Sequence, residues 1–195
     1  MYQLFNNQTK IKQMRFKTII YFSFLFFTTM VLSQDRLVTK KGIIKFEASV
    51  PSFEEIKAKN ENVSCILNTS NGEIASLALI KGFRFKIALM EEHFNENYIE
   101  SDQHPKATFK GKIQNFNLNK ISETASSHKM SGTLEIKGKS KTIETIALIK
   151  KTPNGIELQS KFEVSTEYFG IEIPSIVSNK VSKKVKIETL FMFSN

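Results

Sequence analysis

The sequence predicts an all-β, antiparallel domain of about eight strands, closed into a barrel or folded as a sandwich. Two observations carry this prediction. Apolar and polar residues alternate with a period of two through most of the chain after residue 34, the mark of half-buried strands. Turn signals recur between the alternating runs, at Asn68–Gly72, at Gly138–Lys141 and at Pro153-Asn154-Gly155.

Ahead of this domain, residues 1–33 read as a signal peptide. Lys10, Lys12, Arg15 and Lys17 stand there without an acidic residue, and an apolar run of 15 residues follows, Thr18–Leu32. Val31 and Ser33 suit the small positions before a cleavage site, so cleavage is expected after Ser33, leaving residues 34–195 as the mature domain. The run is short for a spanning helix, which needs about 20 apolar residues. Export makes a periplasmic or secreted location the expectation.

The strands follow in order. Ile44, Phe46 and Ala48 alternate with Lys45 and Glu47; Val63, Cys65 and Leu67 continue the pattern. A long strand region runs from Ile74 to Leu89 with a pause at Gly82, and in it Phe83, Phe85 and Ile87 share one face. Met90, Phe94 and Tyr98 are spaced four apart, which predicts a short helix ended by Pro105. Ala107, Phe109, Gly111 and Ile113 line one face of the next strand; Met130, Gly132, Leu134 and Ile136 line another. Asn117–Lys129 reads as a polar loop. Thr142–Lys150 is the following strand, and Ile156, Leu158, Ser160, Phe162 and Val164 form a face of the one after it. Tyr168–Asn179 is expected to be a loop or short helical turn. The last strand turns Val181, Val185, Ile187, Thr189, Phe191 and Phe193 to one side.

Charge and composition narrow the function. The net charge of +9 includes the leader; the mature region keeps 24 basic and 19 acidic residues, a net of +5. Its lysines are spread through the strands, as on a solvated sheet face. A nucleic-acid surface would need them clustered with aromatic platforms. The single cysteine, Cys65, allows no internal disulfide and sits in an apolar strand that favours an inert thiol. No nucleophile elbow or phosphate-cradling loop is present. His93 and Glu96 would give a metal two ligands where zinc wants three or four. No enzyme activity, metal or cofactor is expected.

One block is more distinctive. Gly82-Phe-Arg-Phe-Lys-Ile-Ala-Leu-Met-Glu-Glu-His-Phe-Asn-Glu-Asn-Tyr-Ile-Glu-Ser-Asp-Gln-His-Pro-Lys-Ala-Thr-Phe-Lys-Gly111 resembles the YceI-like family. Gly42-Ile-Ile-Lys-Phe-Glu-Ala48, Gly132-Thr-Leu-Glu-Ile-Lys-Gly138 and the stretch from Phe162 through Ile173-Pro174 match in the same order, so the resemblance spans about residues 37–193. It departs at the helix. Met90-Glu91-Glu92 precedes His93 where the more widespread form has Arg-Asp, and Tyr98-Ile99 replaces a Phe-Phe pair.

The resemblance implies a lipocalin-like barrel with the short helix over one end, often periplasmic, enclosing an isoprenoid or other amphiphilic lipid. The residues alone leave two readings of the inward face: a filled core, as in a non-catalytic, stress-related interaction module, or the wall of a ligand site. The ligand-wall reading takes Phe46, Phe83, Phe85, Ile87, Phe94, Tyr98, Phe109, Ile113, Leu134, Ile136, Phe162, Val185 and Ile187 as ligand-binding. Candidate partners are the lipid itself, a membrane surface touched peripherally and a second copy in a homodimer.

Overall fold

The computed structural model describes residues 35–194. The signal-peptide expectation for residues 1–33 lies outside them. The strands are β1 (Arg36–Ser49), β2 (Lys57–Asn68), β3 (Glu73–Leu79), β4 (Arg84–Phe85), β5 (Lys106–Ile113), β6 (Ser126–Ile136), β7 (Lys139–Thr152), β8 (Gly155–Ser165) and β9 (Val181–Ser194). Hydrogen bonding runs β1-β9-β8-β7-β6-β5-β3-β2, and β2 pairs back onto β1. Every pairing is antiparallel. The eight long strands thus close into a barrel and leave no unpaired edge.

Local chemistry sets the turns. Lys137 and Gly138 join β6 to β7, both at positive φ (51° and 69°), the geometry of a two-residue hairpin loop. Pro153-Asn154 joins β7 to β8 as its sequence implies.

Two expectations are corrected. The pause expected at Gly82 is present, but less of Ile74–Leu89 is strand than expected: β3 ends at Leu79, a 3₁₀ turn occupies Ile80–Gly82, only Arg84–Phe85 returns to β2, and Ala88 and Leu89 already belong to a helix. Asn60 causes the break. It is 1% exposed, and its amide donates to the Leu79 carbonyl at 3.0 Å. A Cβ at Gly82 would stand 2.6 Å from that amide nitrogen, so the chain can bend past Asn60 only without a side chain there. The second correction is Asn117–Lys129, whose last four residues belong to β6 and pair with β7. Their polar composition hides a strand because one face meets solvent.

The helix α1 (Ala88–His93) continues into a π-type turn, Phe94–Tyr98, closed by the Ile99 N–H donating to the Phe94 carbonyl at 3.0 Å. Glu91 staples α1 to β4. One of its carboxylate oxygens pairs with Arg84 at 2.8 Å and the other accepts the Phe85 N–H at 3.1 Å.

The interior has two unlike halves. At the end that carries Asn68–Gly72 and the Pro153-Asn154 hairpin, inward residues meet across the axis. Leu67, Ile113, Ile149, Leu158 and Phe193 are fully buried there, and Cys65 among them has its thiol pushed up to about 12 by burial. At the other end, near α1, the inward residues stand apart.

Candidate functional site

The separated walls enclose a cavity of about 490 Å³, within the range of small-molecule sites, roughly 300–1,000 Å³. Its lining is mostly aliphatic and aromatic. Phe46 of β1, Phe109 of β5, Leu134 and Ile136 of β6, Phe162 of β8, and Val185 and Ile187 of β9 all face it. At the α1 end Phe83, Phe85, Phe94 and Tyr98 complete it. Glu54, Lys180 and Phe53, all exposed, mark the rim.

Side-chain size explains why this half is hollow. Ala78 of β3 and Ala107 of β5 are cross-strand partners, and Ser76 and Ala48 also line the space. Corresponding inward positions in the packed half carry Leu67, Ile74 and Ile113. Gly111 and Gly132 also pair directly. A Cβ at Gly111 would come 2.6 Å from the Phe109 ring and one at Gly132 2.7 Å, so the ring rests against the two glycines. A Cβ at Gly132 would also meet the Lys110 carbonyl oxygen and the Gly111 Cα, so Gly132→Ala forces the β5 backbone as well as the Phe109 ring to shift. The expected result is a loss of about 1–3 kcal/mol, read from denaturant melts, together with weaker uptake of an apolar probe.

The floor is polar but satisfied. Ser160 and Thr189 share a hydroxyl–hydroxyl hydrogen bond of 2.8 Å, and Thr189 faces the cavity.

The α1 segment is held by an aromatic cluster. Phe94 lies 5.3 Å from Phe46, 5.9 Å from Phe83 and 5.2 Å from Phe85 between ring centroids, spacings that favour tilted and edge contacts. Its far end is tied by Lys137, which donates to the Tyr98 carbonyl at 3.0 Å and to Glu100 at 2.7 Å. The hydrogen bond from Lys137, and then its charge, hold the Glu100 carboxyl below the usual range. A depressed carboxylate contributes stability that is complete above its unfolded pKa and disappears as pH falls through the folded value. The protection factors of amides in residues 99–104, taken against the intrinsic exchange rate at each pH, are therefore expected to fall below about pH 4, while those of barrel amides hold.

Two of the sequence-derived ligand residues lie elsewhere. Ile113 is fully buried in the packed half, and Ile87 caps α1 without reaching the cavity. The sequence reading also missed several lining residues. Phe169, Ile171, Ile173 and Val177 come from the segment read as a loop or short helical turn; Ile80 and Ile99 come from either side of α1. The alternation of Phe169, Ile171 and Ile173 was the available signal, masked by Gly170 and Pro174. His93 lines the cavity but is exposed, and among the described residues no three His, Cys, Asp or Glu side chains gather as a metal would require.

Comparison with known proteins completes the picture. No sequence among the curated proteins matches the chain. A polyisoprenoid binding domain from Saccharophagus degradans, implicated in plant cell wall breakdown, superposes with a TM-score of 0.70 at 15% identity, covering 83% of this chain and 99% of that one. BcnA of Burkholderia cenocepacia gives 0.63 at 13% identity, over 77% and 94% of the two chains. The YCEI protein of Campylobacter jejuni gives 0.56 at 16% identity, over 73% and 87%. These similarities establish the barrel fold. The YceI-like domain model matches residues 37–193, nearly the whole described barrel, and the chain belongs to the YceI-like family.

Proposed function

We propose that the protein is an exported, periplasmic binding protein that sequesters or carries an amphiphilic lipid or isoprenoid in the hollow half of its barrel. It does so without chemistry on the ligand. The observation that carries this reading is the cavity of about 490 Å³ with an apolar wall and an exposed rim. Such a site binds by removing hydrocarbon from water, at about 0.8 kcal/mol per methylene. Ten methylenes supply about 8 kcal/mol before the cost of association, enough for useful affinity. The polyisoprenoid-binding domain with the same fold supports the ligand class. The basic and apolar leader supports export.

The exposed rim suits loading from a lipid surface. Phe53 and Lys180 are both exposed at the rim, and Ile176, in the loop before β9, is 84% exposed. These groups fit peripheral contact with a bilayer during exchange.

Native mass spectrometry of protein purified without detergent tests the reading. One amphiphile per chain is expected, recovered in an organic extract. A bare mass, with no saturable uptake of prenyl alcohols or fatty amides by the delipidated protein, would contradict it.

A further inference from the structure

We infer that the β8–β9 connection is a docking surface for anionic lipid bilayers, seated through Tyr168, Ile176 and the lysines around them, and that the barrel exchanges its ligand while bound there. This deepens the lipid-carrier reading, on which it rests, by naming the surface that loads the barrel.

The connection is built into the wall. β7 pairs with β8 only from Ile146 onward, which leaves residues 139–145 without a strand on that side. The 3₁₀ turn Thr166–Phe169 packs against β7 in that gap. Phe169 is buried against Leu134 and Val164, and Tyr168 before it is turned out, 57% exposed, with the Lys141 ammonium 4.3 Å from its ring centre. Gly170, at φ 63°, then brings the backbone against the Lys139 ammonium. A second 3₁₀ turn, Ser175–Val177, follows. In it the Val177 N–H donates to the Pro174 carbonyl at 3.0 Å, and the Lys180 N–H to the Val177 carbonyl at 2.9 Å. Val177 lines the cavity, while Ile176 beside it is 84% exposed. A hydrogen-bonded turn thus holds a bare isoleucine one residue from the cavity wall.

Polarity and charge together choose the occupant. The loops at the packed end, residues 69–72, 114–125 and 153–154, expose no large apolar side chain among the described residues, whereas Phe53, Tyr168 and Ile176 are exposed at the open end. Residues 139–141 and 166–184 bring five exposed lysines, Lys139, Lys141, Lys180, Lys183 and Lys184, against two carboxylates, Glu167 and Glu172. Lys183 neutralises Glu167 at 2.9 Å, which leaves the surface net positive. Across the mouth, the loop of residues 50–56 carries Glu54 and Glu55 and no base, so the positive character belongs to the β8–β9 side. Apolar tips among cations match a bilayer interface: isoleucine and tyrosine leave water for the headgroup region while ammonium groups meet lipid phosphates. A hydrocarbon ligand resides in bilayers, so a surface of this kind at the mouth meets its source.

Vesicle flotation tests this, together with the rate at which the protein takes a fluorescent apolar probe out of the vesicles. The vesicles are phosphatidylcholine, alone or mixed with phosphatidylglycerol. The native protein is expected to float about tenfold better with the mixed vesicles, and added salt should erase the difference. Ile176→Asp and the double variant Lys139→Gln/Lys141→Gln should each lower flotation and transfer from the mixed vesicles by about tenfold. Their affinity for the probe in vesicle-free solution should stay within about twofold of native, because none of these residues lines the cavity. Leu148→Asp, at an exposed leucine on the outer wall of β7, should change neither. Thermal melts check that each variant is folded. Flotation indifferent to phosphatidylglycerol would overturn the inference, as would native transfer by Ile176→Asp or an equal loss in Leu148→Asp. Light scattering that shows a native dimer split by Ile176→Asp, with vesicle binding intact, would assign the surface to a second copy instead. Normal probe uptake from solution beside any of these results defeats the docking alone; no uptake by the native protein defeats the carrier reading as well.

Discussion

Ala107→Phe is expected to abolish ligand binding while leaving the barrel folded. Ala107 faces the hollow half from β5 and is paired with Ala78 of β3, so nothing large opposes a new ring. The phenyl group would occupy the volume of about five methylenes of ligand, each worth about 0.8 kcal/mol. Affinity should fall by about a thousandfold. Overpacking ordinarily costs about 1–3 kcal/mol, but here the ring enters existing space, so the midpoint of thermal unfolding should hold or rise. Calorimetric titration paired with a thermal melt reads both numbers. A variant that still binds at native affinity would mean that the ligand lies elsewhere.

Phe193→Ala should give the opposite signature. Phe193 is 1% exposed in the packed half and lies 6.4 Å from the Phe191 ring. Removing a buried phenyl group costs about 3–5 kcal/mol through lost transfer energy and the cavity left behind. That is a large share of a typical domain stability of about 5–15 kcal/mol. The unfolding midpoint should drop by about 6–20 °C. Ligand affinity of the folded fraction should change little, since Phe193 does not line the site. If the two variants were to affect stability and binding alike, the division of the barrel into a structural half and a binding half would be wrong.

That division explains what was legible in the sequence. Period-two alternation reports which residues face inward, and it correctly placed Phe46, Phe109, Leu134 and Ile136 on the inner face. It says nothing about what they meet there, because the packed and hollow halves share one period. Ile113 and Phe109 belong to the same face of β5, yet one is sealed in the core and the other borders open space. The difference comes from cross-strand partners. Ile74 sits opposite Gly111 and Ala78 sits opposite Ala107, a register that becomes visible only when β3 and β5 are paired. Gly82 marked a pause there, but its full extent was not legible, since Asn60, 19 residues earlier, supplies the hydrogen bond that ends the strand at Leu79. The wall residues Phe169, Ile171 and Ile173 were missed because Gly170 and Pro174 mark a loop to any local reading. Gly170, at φ 63°, does turn the chain there, and the apolar residues around it nonetheless point inward.

The central claim is that the half of the barrel near α1 holds a guest where the other half holds side chains. A crystal structure of the protein isolated from its producing cells, with no added lipid, tests this most directly. The account predicts elongated density running from Thr189 past Phe109 and Phe162 toward the rim. Phe46, Phe109 and Phe162 collapsed onto one another, with no continuous space between them, would contradict it.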